Sequence, residues 1–160
     1  MKTILKLAFL PIAIALLSVS THAQSSKYKC MLQMSNYMGE GAYVVVSLVT
    51  DKGDYVKTLY VMGDDNKWYN SLKEWNKFYT KRPANISAIT GASVTGGDRG
   101  VNVIEIENSK INSGFKLRFE TAVEDQKYHV NDVEVPLTTA GIAAKSEGKG
   151  YIRYVRLIKI

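Results

Sequence analysis

Two apolar runs joined by a tight turn constrain this chain more than any other feature. Residues 43–49 read YVVVSLV and residues 55–62 read YVKTLYVM, with Asp51-Lys52-Gly53-Asp54 between them. β-Branched residues fit a pleated, buried surface, and a run that is apolar at nearly every position predicts a central strand covered on both faces. Asp-Lys-Gly-Asp is turn chemistry, so the second run returns as the antiparallel partner of the first. A fold that holds this hairpin needs a second layer on each side of it.

The rest of the mature chain supplies more strands. Residues 28–34, 100–107, 115–123, 130–137 and 151–160 have the composition or alternation of strands, giving seven or eight in all. In residues 115–123 the alternation is clean. Phe115, Leu117 and Phe119 fall on one face; Lys116, Arg118 and Glu120 fall on the other, which reads as solvent-facing. Residues 108–114 (NSKINSG) read as a loop. One segment breaks the pattern. Trp68, Leu72, Trp75 and Tyr79 recur at helical spacing behind the capping residues Asp65 and Asn66 and ahead of Pro83. They predict one helix over residues 67–79 whose stripe packs on a sheet. Short strands with frequent turns and one inserted helix predict a mainly β fold, an immunoglobulin-like β-sandwich, as a single domain over residues 24–160.

Residues 1–23 are read as a separate element. Lys2 and Lys6 precede an apolar run over residues 7–19, and Thr21-His22-Ala23 offers small residues for cleavage. This is the pattern of a secretory signal peptide, too short and wrongly flanked for a membrane span. The expected product begins at Gln24, is periplasmic or otherwise exported, and does not span the membrane after signal removal. Cys30 is no lipidation site, because Lys27-Tyr28-Lys29 is not the small apolar approach that lipidation needs.

Charge and cysteine content narrow the function classes. Removing Lys2 and Lys6 from the 21 basic residues leaves 19 against 15 acidic ones, a net charge of +4. The basic residues are scattered rather than clustered, which argues against nucleic acid. One cysteine permits no disulfide within the chain. His129 is the one histidine of the expected mature chain, too few for a hydrolytic triad, and its polar neighbours suggest a surface position. Cys30, Met31, Met34 and Met38 are soft ligands that would suit copper(I), yet their spacing defines no single strand face, so core packing is the plainer reading. Asn85-Ile86-Ser87 matches a glycosylation sequon, which matters only in a eukaryotic secretory pathway.

The remaining signal is Ile89-Thr90-Gly91-Ala92-Ser93-Val94-Thr95-Gly96-Gly97. Read plainly, it is a polar connection whose glycines permit unusual backbone angles. Thr90-Gly91-Ala92-Ser93-Val94-Thr95 also resembles the S/T-G-A-T/S-x-T/S acceptor motif of proteins modified by the periplasmic FAD:protein FMN transferase. In that motif the last hydroxyl of the tetrapeptide, here Ser93, is esterified by the phosphate of FMN.

From about residue 43 to 160 the chain resembles an uncharacterised periplasmic family often encoded beside PepSY-type membrane reductases. The resemblance rests on Asp54-Tyr55-Val56-Lys57-Thr58-Leu59, on Leu72 with Trp75, and on ITGAS followed by glycines. It implies an electron-transfer protein rather than a stand-alone enzyme, carrying covalent FMN, with that transferase and a PepSY-type reductase as partners. The cofactor site it implies comprises Thr90, Gly91, Ala92, Ser93 and Thr95. Tyr69, off the helical stripe, is the expected neighbour of the flavin ring, and Gly96-Gly97 are expected to let the loop lift from the sheet. Two positions depart from the acceptor pattern: Ser87 stands where Asp is common, and the acceptor is serine rather than threonine. The alternative is a cofactor-free immunoglobulin-like binding or scaffold module of the cell envelope.

Overall fold

The computed structural model describes residues 24–160, so the expected signal peptide lies outside the described residues. In chain order the strands are β1 (Ser25–Met34), β2 (Tyr43–Val49), β3 (Tyr55–Met62), β4 (Thr90–Gly91), β5 (Arg99–Glu107), β6 (Lys116–Ala122), β7 (His129–Pro136), β8 (Ser146–Glu147) and β9 (Ile152–Lys159). Helix α1 is Lys73–Lys81 and α2 is Thr139–Ala143. Two sheets form a sandwich: one ordered β5-β1-β9-β8, the other β4-β3-β2-β6-β7. The architecture is the expected mainly β, immunoglobulin-like sandwich.

Alternation builds the core. From β1, Tyr28, Cys30, Leu32 and Met34 point inward, and they meet Ile104 and Ile106 of β5, Val155 and Leu157 of β9, and Val44, Val46, Leu48, Leu117 and Phe119 of the facing sheet. β2 is covered on both faces, as its continuous apolar run predicts. Its Val45 belongs to a second cluster on the far side of the sheet, with Val61, Tyr69, Leu72, Trp75, Ile86 and Ala122. The segment between β3 and β4 forms that outer layer. Trp75 is fully buried, and its indole N–H donates to Thr58 Oγ1 at 2.9 Å.

Two expectations need correction. The single helix over 67–79 is two pieces, a 3-10 segment (Asn66–Ser71) and α1. Asp65 caps the first by accepting from Lys67 N–H, as its position suggests, but Leu72 at φ −86°, ψ 64° redirects the chain before α1 starts. Glu120, read as solvent-facing, is fully buried, because the helical layer covers that side of β6. It accepts hydrogen bonds from the hydroxyls of Tyr55 and Tyr128. The last 3-10 turn and loop before β6 fall where NSKINSG suggests, whereas the small-residue region after β7 folds into α2 and β8.

Candidate functional site

The acceptor-like segment runs along the edge of the five-stranded sheet. Thr90 and Gly91 pair in parallel with Val61 and Met62. Gly91 C=O accepts from Gly63 N–H at 2.6 Å, and Thr90 Oγ1 donates to Ile86 C=O at 2.8 Å. Four residues on, Val94 exchanges both backbone hydrogen bonds with Ala42, at 2.8 and 3.1 Å. Tyr37 reinforces that bridge: its hydroxyl donates to Val94 C=O at 2.5 Å and accepts from Ala42 N–H at 2.7 Å. Between the two anchors only Ala92 and Ser93 project, and both are exposed.

The glycines tighten this arch rather than loosen it. A side chain on Gly96 would lie 2.3 Å from Tyr37 C=O, and Gly97, at φ +82°, donates to Ser35 C=O at 2.9 Å. Gly96-Gly97 is thus a close-packed turn that holds the segment down, not a hinge that lifts it. Gly91 gives the Tyr60 hydroxyl room, since a Cβ there would approach it to 2.5 Å. Gly41 does the same for Ser93: its missing Cβ would stand 2.5 Å from Ser93 Oγ. The serine hydroxyl lies against bare backbone.

Ser93 stands between two clefts. One, of about 170 Å³, is lined by Glu40, Gly41, Tyr43, Trp68, Ser71 and Glu124. The other, of about 270 Å³, contains Ala92, Val94 and Thr95 with Tyr60, Asp98 and Arg99. Thr90 and Tyr69 belong elsewhere, to a cleft of about 390 Å³ with Tyr79, Asn85, Ile86 and Ser87. Ser87, at the position where the motif commonly has Asp, is therefore also away from the clefts that Ser93 lines.

Five of the six residues singled out in the sequence fall within residues 90–95, but the structure divides them. Ala92, Ser93 and Thr95 share a cleft; Thr90 opens onto another, while Gly91 is a packing position. Tyr69 does not line either cleft of Ser93. It is 6% exposed, donates its hydroxyl to Gly63 C=O at 3.2 Å, and meets Trp75 edge-on at 5.2 Å. Burial pushes its phenol pKa up. The aromatic residues lining the clefts of Ser93 are instead Tyr60 in the larger one, and in the smaller one Tyr43 and the half-buried Trp68, over whose ring Lys67 Nζ sits at 5.3 Å. Helical spacing assigned Trp68 to the packed stripe. The break at Leu72 undoes that phase and leaves Trp68 facing the cleft.

The soft-ligand group is not assembled. Cys30 and Met34 are inside the sandwich, Met31 is on the other face of β1, and Met38 is 86% exposed. Burial pushes the Cys30 thiol up to about 12, so it is protonated at neutral pH. His129 opens β7, half-buried, edge-on to Tyr151 at 5.0 Å.

Ser93 is thus a solvent-exposed residue on a short arch strapped to the edge of the sandwich. The family described as "Predicted periplasmic protein (DUF2271)" matches residues 25–154, and the chain belongs to it. It is a periplasmic protein of an uncharacterised family. No curated protein and no solved structure matches the chain. Among the described residues, no helix is long and apolar enough to cross a membrane.

Proposed function

We propose that Ser93 carries FMN through a phosphoester bond and that the protein relays electrons to or from a PepSY-type membrane reductase. The observation that carries this reading is the exposure of Ser93 on a two-residue arch whose neighbours Gly41, Gly91 and Ala92 are slim enough to enter another enzyme's active site. In the attachment, Ser93 Oγ attacks the FMN phosphorus of FAD. The bond from that phosphorus to the AMP oxygen breaks, AMP leaves, and the hydroxyl proton passes to the FAD:protein FMN transferase. A bound flavin supplies the one- and two-electron chemistry; the protein sets its exposure and charge environment.

The residues beside Ser93 fit such a group. Tyr43 and Trp68 offer flat apolar cover to an aromatic ring. Glu40 and Glu124 in the same cleft would repel an anionic phosphate, whereas Tyr43 and Trp68 would hold the ring. Trp68 thereby takes the part expected of Tyr69. Thr90, turned toward Ile86, is not the acceptor in this reading.

The test is to express the exported protein together with the transferase, denature it, and examine gel fluorescence and intact mass. The expected result is a fluorescent band and a mass increased by FMN less one water, both lost in Ser93→Ala. A dark, unmodified wild type overturns the proposal; a fluorescent Ser93→Ala moves the acceptor to Thr90 or Thr95. Gly41→Ala, whose new methyl crowds Ser93 Oγ, is expected to lower the loaded fraction severalfold without unfolding the sandwich.

A further inference from the structure

Strand β5 is an edge strand that is neither short nor broken by proline, although its outer face carries Arg99 and Glu105. It is nine residues long, pairs with β1 without a register shift, and has no strand on its other side among the described residues. The sheet's opposite edge, β8, is two residues long, as is β4 on the facing sheet, and β7 ends in Pro136. Short strands and prolines are how sheets blunt their edges. β5 contains no proline or lysine, and its outer face shows Val101 and Val103, 54% and 48% exposed.

A second observation lies on the inner face of the same strand. Asn102 is 6% exposed, and neither its amide oxygen nor its amide nitrogen has a hydrogen-bond partner. A buried amide left without partners is destabilising, because it has given up water and gained nothing in return, so such a residue calls for an explanation.

The sequence around Asn102 supplies one. Residues 99–105 read Arg-Gly-Val-Asn-Val-Ile-Glu, nearly symmetric about the asparagine, with opposite charges at the two ends. We propose that β5 pairs antiparallel with β5 of a second copy across a two-fold axis through Asn102, joining two four-stranded sheets into one. In that register Asn102 faces the partner's Asn102, amide to amide. Val101 faces the partner's Val103, and Arg99 faces the partner's Glu105. Directly opposed side chains in an antiparallel pair have Cβ atoms about 5 Å apart, within reach of each of these contacts.

Neighbouring registers are worse. Centring the axis on Val103 keeps Arg99 opposite the partner's Glu107, but it sets Val101 against the partner's Glu105 and Asn102 against the partner's Ile104. Centring it on Val101 sets Arg99 against the partner's Val103. The Asn102 register alone combines all three matches, and it is the one that sets amide against amide and leaves no charge opposite a valine, so the edge favours that alignment. Within one copy, Glu105 has only a solvent-exposed contact with Lys27 at 3.5 Å, which leaves it free to turn to the incoming arginine.

The experiment uses the mature chain in sedimentation equilibrium and light scattering. The expected wild type is a dimer. Arg99→Glu and Glu105→Arg each place like charges across both ends of the interface and should weaken association at least about tenfold, while circular dichroism and melting show the fold retained, since both side chains are exposed. The double variant Arg99→Glu/Glu105→Arg restores opposite charges and should restore the dimer. A wild type that stays monomeric up to its solubility limit overturns the proposal, and so does a dimer indifferent to the single changes or one that the double change fails to rescue.

Discussion

Two carboxylates on adjacent strands of one sheet, Glu120 on β6 and Asp132 on β7, are both fully buried and are handled in opposite ways. Asp132 is held mostly by backbone. It accepts from the N–H groups of Lys149, Gly150 and Ile152 at 3.0, 2.7 and 3.0 Å, and from Thr121 Oγ1 at 2.6 Å. It thereby folds the turn between β8 and β9 against β7. The glycines of that turn are shaped to it: a Cβ on Gly150 would come within 2.8 Å of an Asp132 oxygen. Glu120 is held mainly by side chains, the hydroxyls of Tyr55 and Tyr128, beneath the layer formed by α1, whose Trp75 backbone N–H also faces it. Tyr128 in turn accepts from Glu74 N–H at 3.0 Å, tying the first turn of α1 to the sheet. Tyr55 stacks on Phe78 at 5.3 Å.

The difference is one of consequence. Backbone donors cannot move away from a lost carboxylate without moving the chain, whereas phenols can rotate or find water. Asp132 therefore fixes the path of the polypeptide, and Glu120 fastens a layer laid on a sheet already formed. Burial raises the Glu120 pKa, and the two phenols it accepts from are pushed up as well, by burial first and by the neighbouring carboxylate second.

The contrast can be broken by experiment. Asp132→Ala strands three backbone N–H groups and a hydroxyl and should cost about 3–5 kcal/mol in urea unfolding. A loss smaller than that of Glu120→Ala would reverse the ranking. Tyr128→Phe removes one donor to Glu120 and the acceptor for Glu74 N–H, and should cost about 1–2 kcal/mol, with hydrogen exchange speeding up in α1 before it does in β6.

Smaller is the pH effect. A carboxyl whose pKa is higher in the folded than in the unfolded chain binds more protons when folded, so stability falls as pH rises from its ordinary value of 4.5 through the raised one. Melting temperature measured against pH should show that decline in the wild type and a flatter profile in Glu120→Gln; an unchanged slope would assign it to another group. Least of all, Cys30 should resist thiol reagents in the native state and react once the chain is unfolded, because burial both hides it and holds it protonated.

Much of the fold was legible in the sequence. Strands β2 and β3 match residues 43–49 and 55–62, since an all-apolar β-branched run and an Asp-Lys-Gly-Asp turn leave few alternatives. The other expected strands differ from those observed mainly at their ends, and the two-residue β4 and β8 were not among them. Reading failed where a tertiary layer reversed a local rule. Alternation assigned Glu120 to solvent because nothing in residues 115–123 announces that residues 66–81 will cover that face. Helical spacing assigned Trp68 to the packed stripe because the dihedral break at Leu72 has no glycine or proline to betray it.

The candidate site was legible as a segment but not as a surface. The sequence sets Thr90, Gly91, Ala92, Ser93 and Thr95 within six residues; nothing in it shows that Thr90 turns to one cleft and Ser93 to others. The contributions of Gly41, Tyr43 and Glu124 come from strands or turns remote in the chain, which no local pattern links to Ser93.

By itself the sequence determined the sandwich class, the central hairpin and the small-residue character of the arch, because these follow from side-chain period, turn chemistry and residue size. Only the tertiary structure decided that the arch is tied at Gly91 and Val94, that Trp68 rather than Tyr69 stands beside Ser93, and that β5 is left as an open edge with an unpaired asparagine. Those outcomes depend on which strand ends meet across space. Such contacts between distant segments are set by the packing of both sheets together, not by the neighbours of any one residue.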